Sequence, residues 1–234
     1  MAKTGKAKES TKQELSAKEF IKRLDLLASE KKNGIDDLGM GQVFALAKEF
    51  IDTPLHEVEN LLESPIHKVR VGAVSIMDLQ ARSKKTTDER RKELFDLYLK
   101  RHDRINTWDL VDRSAIWVGG GYLFNKPRKI LYKLAKSKMM AERRTAIVST
   151  LFFIGKDDVT DAFNIAELML YDKEDLIHKA NGWALRFAGD KDRKQLVKFL
   201  GKYALSMPRV TLRYALEHFD KKEREYYLHK KKIN

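Results

Sequence analysis

The sequence predicts an all-α chain built as an α-solenoid superhelix, on three observations. From Leu15 onward apolar residues recur every three to four positions, the spacing of one helix face. Four prolines and twelve glycines are few for 234 residues, which fits helices better than turn-rich sheets. A short pattern of a polar or basic residue, then alanine, then an apolar stretch recurs around Ala73, Ala115, Ala146, Ala184 and Ala215. The intervals are 42, 31, 38 and 31 residues, a mean near 36. A degenerate period of this size with two helices per unit indicates repeats of the HEAT or armadillo type. The alternative is an irregular helical bundle, given the uneven spacing.

The elements follow from the apolar stripes. Phe20, Leu24 and Leu27 form the first; Phe44, Leu46, Ala47, Phe50 and Ile51 form the second. Val58, Leu61 and Leu62 form a third, with Pro54 near its start, where proline is tolerated. Ser64-Pro65 breaks the chain and restarts a helix through Val69, Ala73, Ile76 and Met77. Further helices are expected over 88–102, 108–118, 127–137, 140–154, 158–171, 173–188, 191–203 and 208–218, with a last one over 221–229. Gly119-Gly120-Gly121 has no flanking strand and no following Lys-Ser/Thr, so it is not a phosphate loop; it is expected to end the helix begun at Trp108. These segments define one solenoid domain over 15–222, with basic tails over 1–14 and 223–234.

The apolar fraction of 43% is enough for a core. Forty-seven basic and 34 acidic residues give a formal charge of +13, which favours a polyanionic partner, nucleic acid before an anionic membrane. With no cysteine, disulfides, zinc-thiolate sites and cysteine nucleophiles are excluded. That composition fits a reducing cytoplasm. No apolar run approaches the roughly 18 residues needed to span a membrane, and the N-terminus lacks the apolar segment of a secretory signal. The six histidines show no metal-ligand spacing, so neither a metal nor a cofactor is implied.

Chemistry concentrates in two segments, Trp108-Asp109-Leu110-Val111-Asp112 and Asn181-Gly182-Trp183-Ala184-Leu185-Arg186. A carboxylate beside an aromatic ring is an odd surface for a protein that attracts phosphates. Trp108 and Asp112 are four apart and share a helix face, whereas Asp109 does not, which selects Asp112. Relative to the shared alanine, Asp112 lies three residues before, Arg144 two before and Trp183 one before. Stacked repeats would bring them onto one concave patch. Each has a plainer reading: core packing for the tryptophans, and for Arg144 an ion pair with Glu142 or Asp112 instead of a phosphate contact. Trp117 is assigned to the core, and Arg82-Ser83-Lys84-Lys85 to a solvated loop, with contact to a DNA backbone as its alternative.

The segments TWDLVD, ERRTAI and HKANGWALR, in that order, resemble the AlkD-like family of bacterial DNA alkylation-repair glycosylases over about residues 65 to 220. The resemblance is thinner in the N-terminal quarter, and Thr107 stands where that family often has an aromatic residue. It implies a HEAT-like solenoid that holds damaged duplex DNA in a basic channel. It further implies a monofunctional glycosylase releasing N3- and N7-alkylated purines without base flipping, and a monomeric nucleoid-associated enzyme of the bacterial cytoplasm. By this resemblance Asp112 is the catalytic carboxylate and Trp108 and Trp183 flank the lesion. Arg144 and Arg186 grip the DNA, with Arg143, Lys179 and Arg213 as further basic contacts. The alternatives are a non-catalytic solenoid for branched or distorted DNA, and a protein-interaction scaffold.

Overall fold

The computed structural model describes residues 15–229 and is all-helical, with no strand among them. The expected basic tail over 1–14 and the end of the C-terminal one, 230–234, lie outside the described residues. The helices are α1 (Ala17–Leu27), α2 (Met40–Glu49), α3 (Leu55–Leu62), α4 (His67–Arg82), α5 (Asp88–Lys100) and α6 (Trp108–Ser114). After a π-helical segment, Ala115–Gly121, come α7 (Lys129–Leu134), α8 (Met140–Ile154), α9 (Thr160–Leu168), α10 (Asp175–Lys191), α11 (Arg193–Tyr203), α12 (Arg209–Ala215) and α13 (Lys221–His229). Local chemistry sets several starts. Ser16, Thr87 and Asp192 cap α1, α5 and α11 by accepting the backbone N–H three residues on. Pro54 and Pro208 precede α3 and α12.

The packing order explains the recurring alanine. α2 packs on α4, α4 on α6, α6 and the π segment on α8, α8 on α10, and α10 on α12. These even-numbered helices form one layer. The odd-numbered ones cover it: α3 on α4, α5 on the π segment, α7 on α8, α9 on α8 and α10, and α11 on α10. All five repeat alanines lie in the first layer and are 0–1% exposed. α8 has neighbours on both sides and behind it, so eight consecutive residues, Arg143 through Thr150, are all buried and nearly its whole circumference there is out of solvent. At Gly182 a β-carbon would collide with Tyr214 and the Thr211 carbonyl, so this glycine allows α10 and α12 to touch through their backbones.

Three expectations are corrected. The glycine triplet does not end its helix: the backbone continues through π-helical turns to Gly121 and on into Tyr122. A β-carbon at Gly120 would overlap the Ser149 carbonyl, so the glycines serve a close crossing with α8 instead of a stop. Leu27, placed on the first apolar stripe, is exposed, while Phe20 and Leu24 are fully buried. The boundary drawn at 222 falls inside α13, where buried Tyr227 meets Phe219 edge-on at 5.7 Å. A short 3₁₀ turn at Gly34–Asp37, which no apolar stripe marks, buries Ile35.

Candidate functional site

Trp108 opens α6, and Asp112 follows one turn later on the same face. Trp108 is 50% exposed, unusual for so large an apolar ring. Arg144 reaches across from α8 and binds Asp112 in a two-pronged ion pair, Nε to Oδ1 at 2.7 Å and Nη2 to Oδ2 at 2.7 Å. Its Nη1 donates to the Leu176 carbonyl on α10, so one guanidinium ties α6, α8 and α10 together. Arg144 is only 5% exposed, and its charge centre lies 6.0 Å from the Trp108 ring. Of the two readings open for Arg144, the ion pair with Asp112 is the one present. Fork-to-fork geometry of this kind fixes a carboxylate in position as well as charge.

Trp108, Asp112, Arg144 and Trp183 line one cleft of about 540 Å³, together with Leu176, Lys179, Arg186 and Tyr214. Trp183 is half-buried against the core, and Phe187 meets it edge-on at 6.3 Å. The four residues drawn from three repeats therefore do share a surface. Asp109 points elsewhere: it accepts from Thr107 Oγ1 at 2.7 Å and pairs with His67 at 2.6 Å. Burial pushes its carboxyl up, but those hydrogen bonds outweigh burial and hold it below the usual range.

A second cleft of about 620 Å³ continues from the first, sharing Lys179, Arg186 and Tyr214 and adding Arg213 and Arg224. Four cations here face one carboxylate, Glu217, which pairs with Arg186. Lys179 pairs with Asp175 at 2.8 Å, and that hydrogen bond raises its ammonium pKa. Arg213 is exposed and forms no ion pair among the described residues. Arg143 stands apart from this surface. It is buried, bound to Asp172 at 2.6 and 3.1 Å and to the carbonyls of Ser137 and Lys138. Sequence reasoning missed Tyr214 and Arg224. Tyr214 sits one residue before its repeat alanine, the register of Trp183, and that equivalence was the available signal. Arg224 was missed because its segment was assigned to a tail.

Fold and surface together define an all-helical repeat protein with a strongly basic cleft. A sequence profile of the DNA alkylation repair enzyme family matches residues 9–219, nearly the whole chain. The chain belongs to that family, which makes it a DNA-repair enzyme with DNA as its partner. No curated protein matches it significantly in sequence. No helix among the described residues is long and apolar enough to cross a membrane.

Proposed function

We propose that the protein is a monofunctional DNA glycosylase that releases N3- and N7-alkylated purines from duplex DNA. The observation that carries this reading is the fixed carboxylate of Asp112 in one cleft with Trp108 and Trp183. Alkylation at N3 or N7 makes the purine cationic and hence a good leaving group without protonation. When the glycosidic bond breaks, the electron pair leaves with the base and positive charge develops on the deoxyribose. Asp112 stabilises that charge and orients the water that adds to the sugar carbon. Although Arg144 occupies both oxygens, a carboxylate has about four lone-pair positions, so acceptor capacity remains toward the cleft.

The exposed ring of Trp108 and the partly exposed ring of Trp183 flank the cationic nucleotide, contacts worth about 0.5–2 kcal/mol. A half-exposed tryptophan at the rim supports attack on a nucleotide still in the helix, without an enclosing base pocket. Arg144 acts through Asp112 as a positioning residue, since its donors are already engaged. Lys179, Arg186, Arg213 and Arg224 hold the phosphates.

The test is release of 3-methyladenine or 7-methylguanine from methylated duplex DNA. Asp112→Asn is expected to lower the single-turnover rate about 100- to 1,000-fold, the cost of removing one well-placed electrostatic group. Equal rates for the variant and the wild type would remove Asp112 from this role. A folded wild type that releases no base above the spontaneous rate would overturn the glycosylase reading.

A further inference from the structure

A separate cleft of about 350 Å³ lies near the C-terminal ends of α4 and α8, against the end of the π segment. It does not include Asp112 or any other residue of the site above. Its aromatic wall is Trp117, Tyr122 and Phe152, with Trp117 and Phe152 edge-on at 5.0 Å. Trp117 packs against the core, as assigned, but is only half-buried and faces a cavity.

Cations cover the outward ring faces. The Arg82 guanidinium lies 5.3 Å from the Trp117 ring, and the Lys126 ammonium 4.4 Å from the Tyr122 ring. Lys84 stands exposed at the cleft and, like Lys126, pairs with no carboxylate among the described residues. The one lining acid, Asp88, is paired with Arg91 at 3.4 Å. At Gly121 no side chain fills the space beside Phe152 and Trp117; a β-carbon there would make only ordinary contacts, at 3.4 and 3.7 Å.

Flat rings beside unpaired cations on flexible stems match an occupant carrying both a flat ring and a negative charge. An acidic peptide would use the cations and leave the rings idle. A base inside a duplex cannot reach the rings, because it is already stacked and paired. A cleft of this volume is within the range of sites that enclose a small ligand. We propose that this cleft binds an unpaired nucleotide of single-stranded DNA, the base stacking on Trp117 and the adjoining phosphates on Lys84 and Lys126. Lys126 leaves the Tyr122 ring for the phosphates as the base arrives, while Arg82 stays beside Trp117, held by Asp78 at 2.8 Å. This is the combination of stacking platform and basic groove used for sequence-independent single-strand binding.

The test uses the full chain and a thymidine hexamer carrying one 5-iodouracil, cross-linked by ultraviolet light and mapped by mass spectrometry. The expected adduct is on Trp117 or Tyr122. In fluorescence anisotropy at low salt, Lys84→Glu/Lys126→Glu and Trp117→Leu should each weaken hexamer binding about tenfold or more. Lys179→Ala/Arg213→Ala, in the other cleft, should change it much less. The double charge reversal alters exposed side chains only, so it remains informative if Trp117→Leu misfolds. Adducts confined to Trp108, Trp183 or Tyr214, or hexamer binding unmoved by the charge reversal, would overturn the proposal. Base release by the same preparations reads the glycosylase site separately.

Discussion

Arg143 and Arg144 are adjacent in sequence and do different work. Both are buried, but Arg144 opens onto the cleft through Asp112 while Arg143 closes a capping network around Asp172, which also accepts from the Glu174 backbone N–H. Arg143→Ala would leave Asp172, itself only 7% exposed in its side chain, as an unpaired buried charge. That penalty is typically about 3–5 kcal/mol. The expected outcome is a large drop in the denaturation midpoint, with DNA affinity of the folded protein near wild type; weakened binding at unchanged stability would contradict it. Trp108→Ala should do the reverse. Half-exposed and at a helix start, Trp108 supports little of the core, so base release should fall about tenfold with a small change in thermal midpoint. These contrasts show which roles were legible in sequence. The placement of Asp112 in the cleft was legible because helix geometry separates it from Asp109. The roles of the two arginines were not, because both are arginines on one buried helix turn and only the neighbours decide which charge each meets.

At the scale of elements, the repeat alanines were readable because close packing demands a small residue wherever two helices cross, whatever else changes. The π segment was not readable, since the same glycines that end most helices can instead admit a neighbour. A buried polar chain links the same elements. Tyr98 on α5 lies 2.9 Å from Thr145 on α8, and Thr145 lies 3.0 Å from His102 Nε2. With Nδ1 donating to the Leu99 carbonyl, His102 accepts from Thr145 and Thr145 accepts from Tyr98, which satisfies every group if the imidazole is neutral. Burial lowers the His102 pKa below its ordinary value of 6.5. The unfolded chain therefore binds a proton that the folded one excludes as pH falls through about 6.5, and stability rises with pH across that window. Wild type should lose stability between pH 7 and pH 5, by at most about 1.4 kcal/mol per pH unit from this group. His102→Gln should flatten that slope while lowering stability at pH 7. Parallel slopes for the two proteins in urea denaturation would show that His102 is not the source.

For the whole molecule, the charge of +13 is a statement about association, not about fold. It pointed to a polyanion from composition alone, but composition does not say where the cations gather. Much of the positive charge is engaged internally: Arg101, Arg128, Arg143 and Arg144 are tied to carboxylates and contribute little free charge to a partner. The cations left for phosphate along the two joined clefts are Lys179, Arg186, Arg213 and Arg224, and two of these are already paired, Lys179 with Asp175 and Arg186 with Glu217. Each phosphate neutralised contributes about 0.9 to the magnitude of the slope of log affinity against log salt. Lys179→Ala/Arg213→Ala should therefore reduce that slope by about 2 on undamaged duplex DNA, and by the same amount on methylated duplex, because phosphate contacts do not read the base. Asp112→Asn removes no cation and so should not reduce the slope. A slope unaltered by the double variant would move the DNA path off these clefts, and with it the argument that Asp112 meets the sugar of a bound strand.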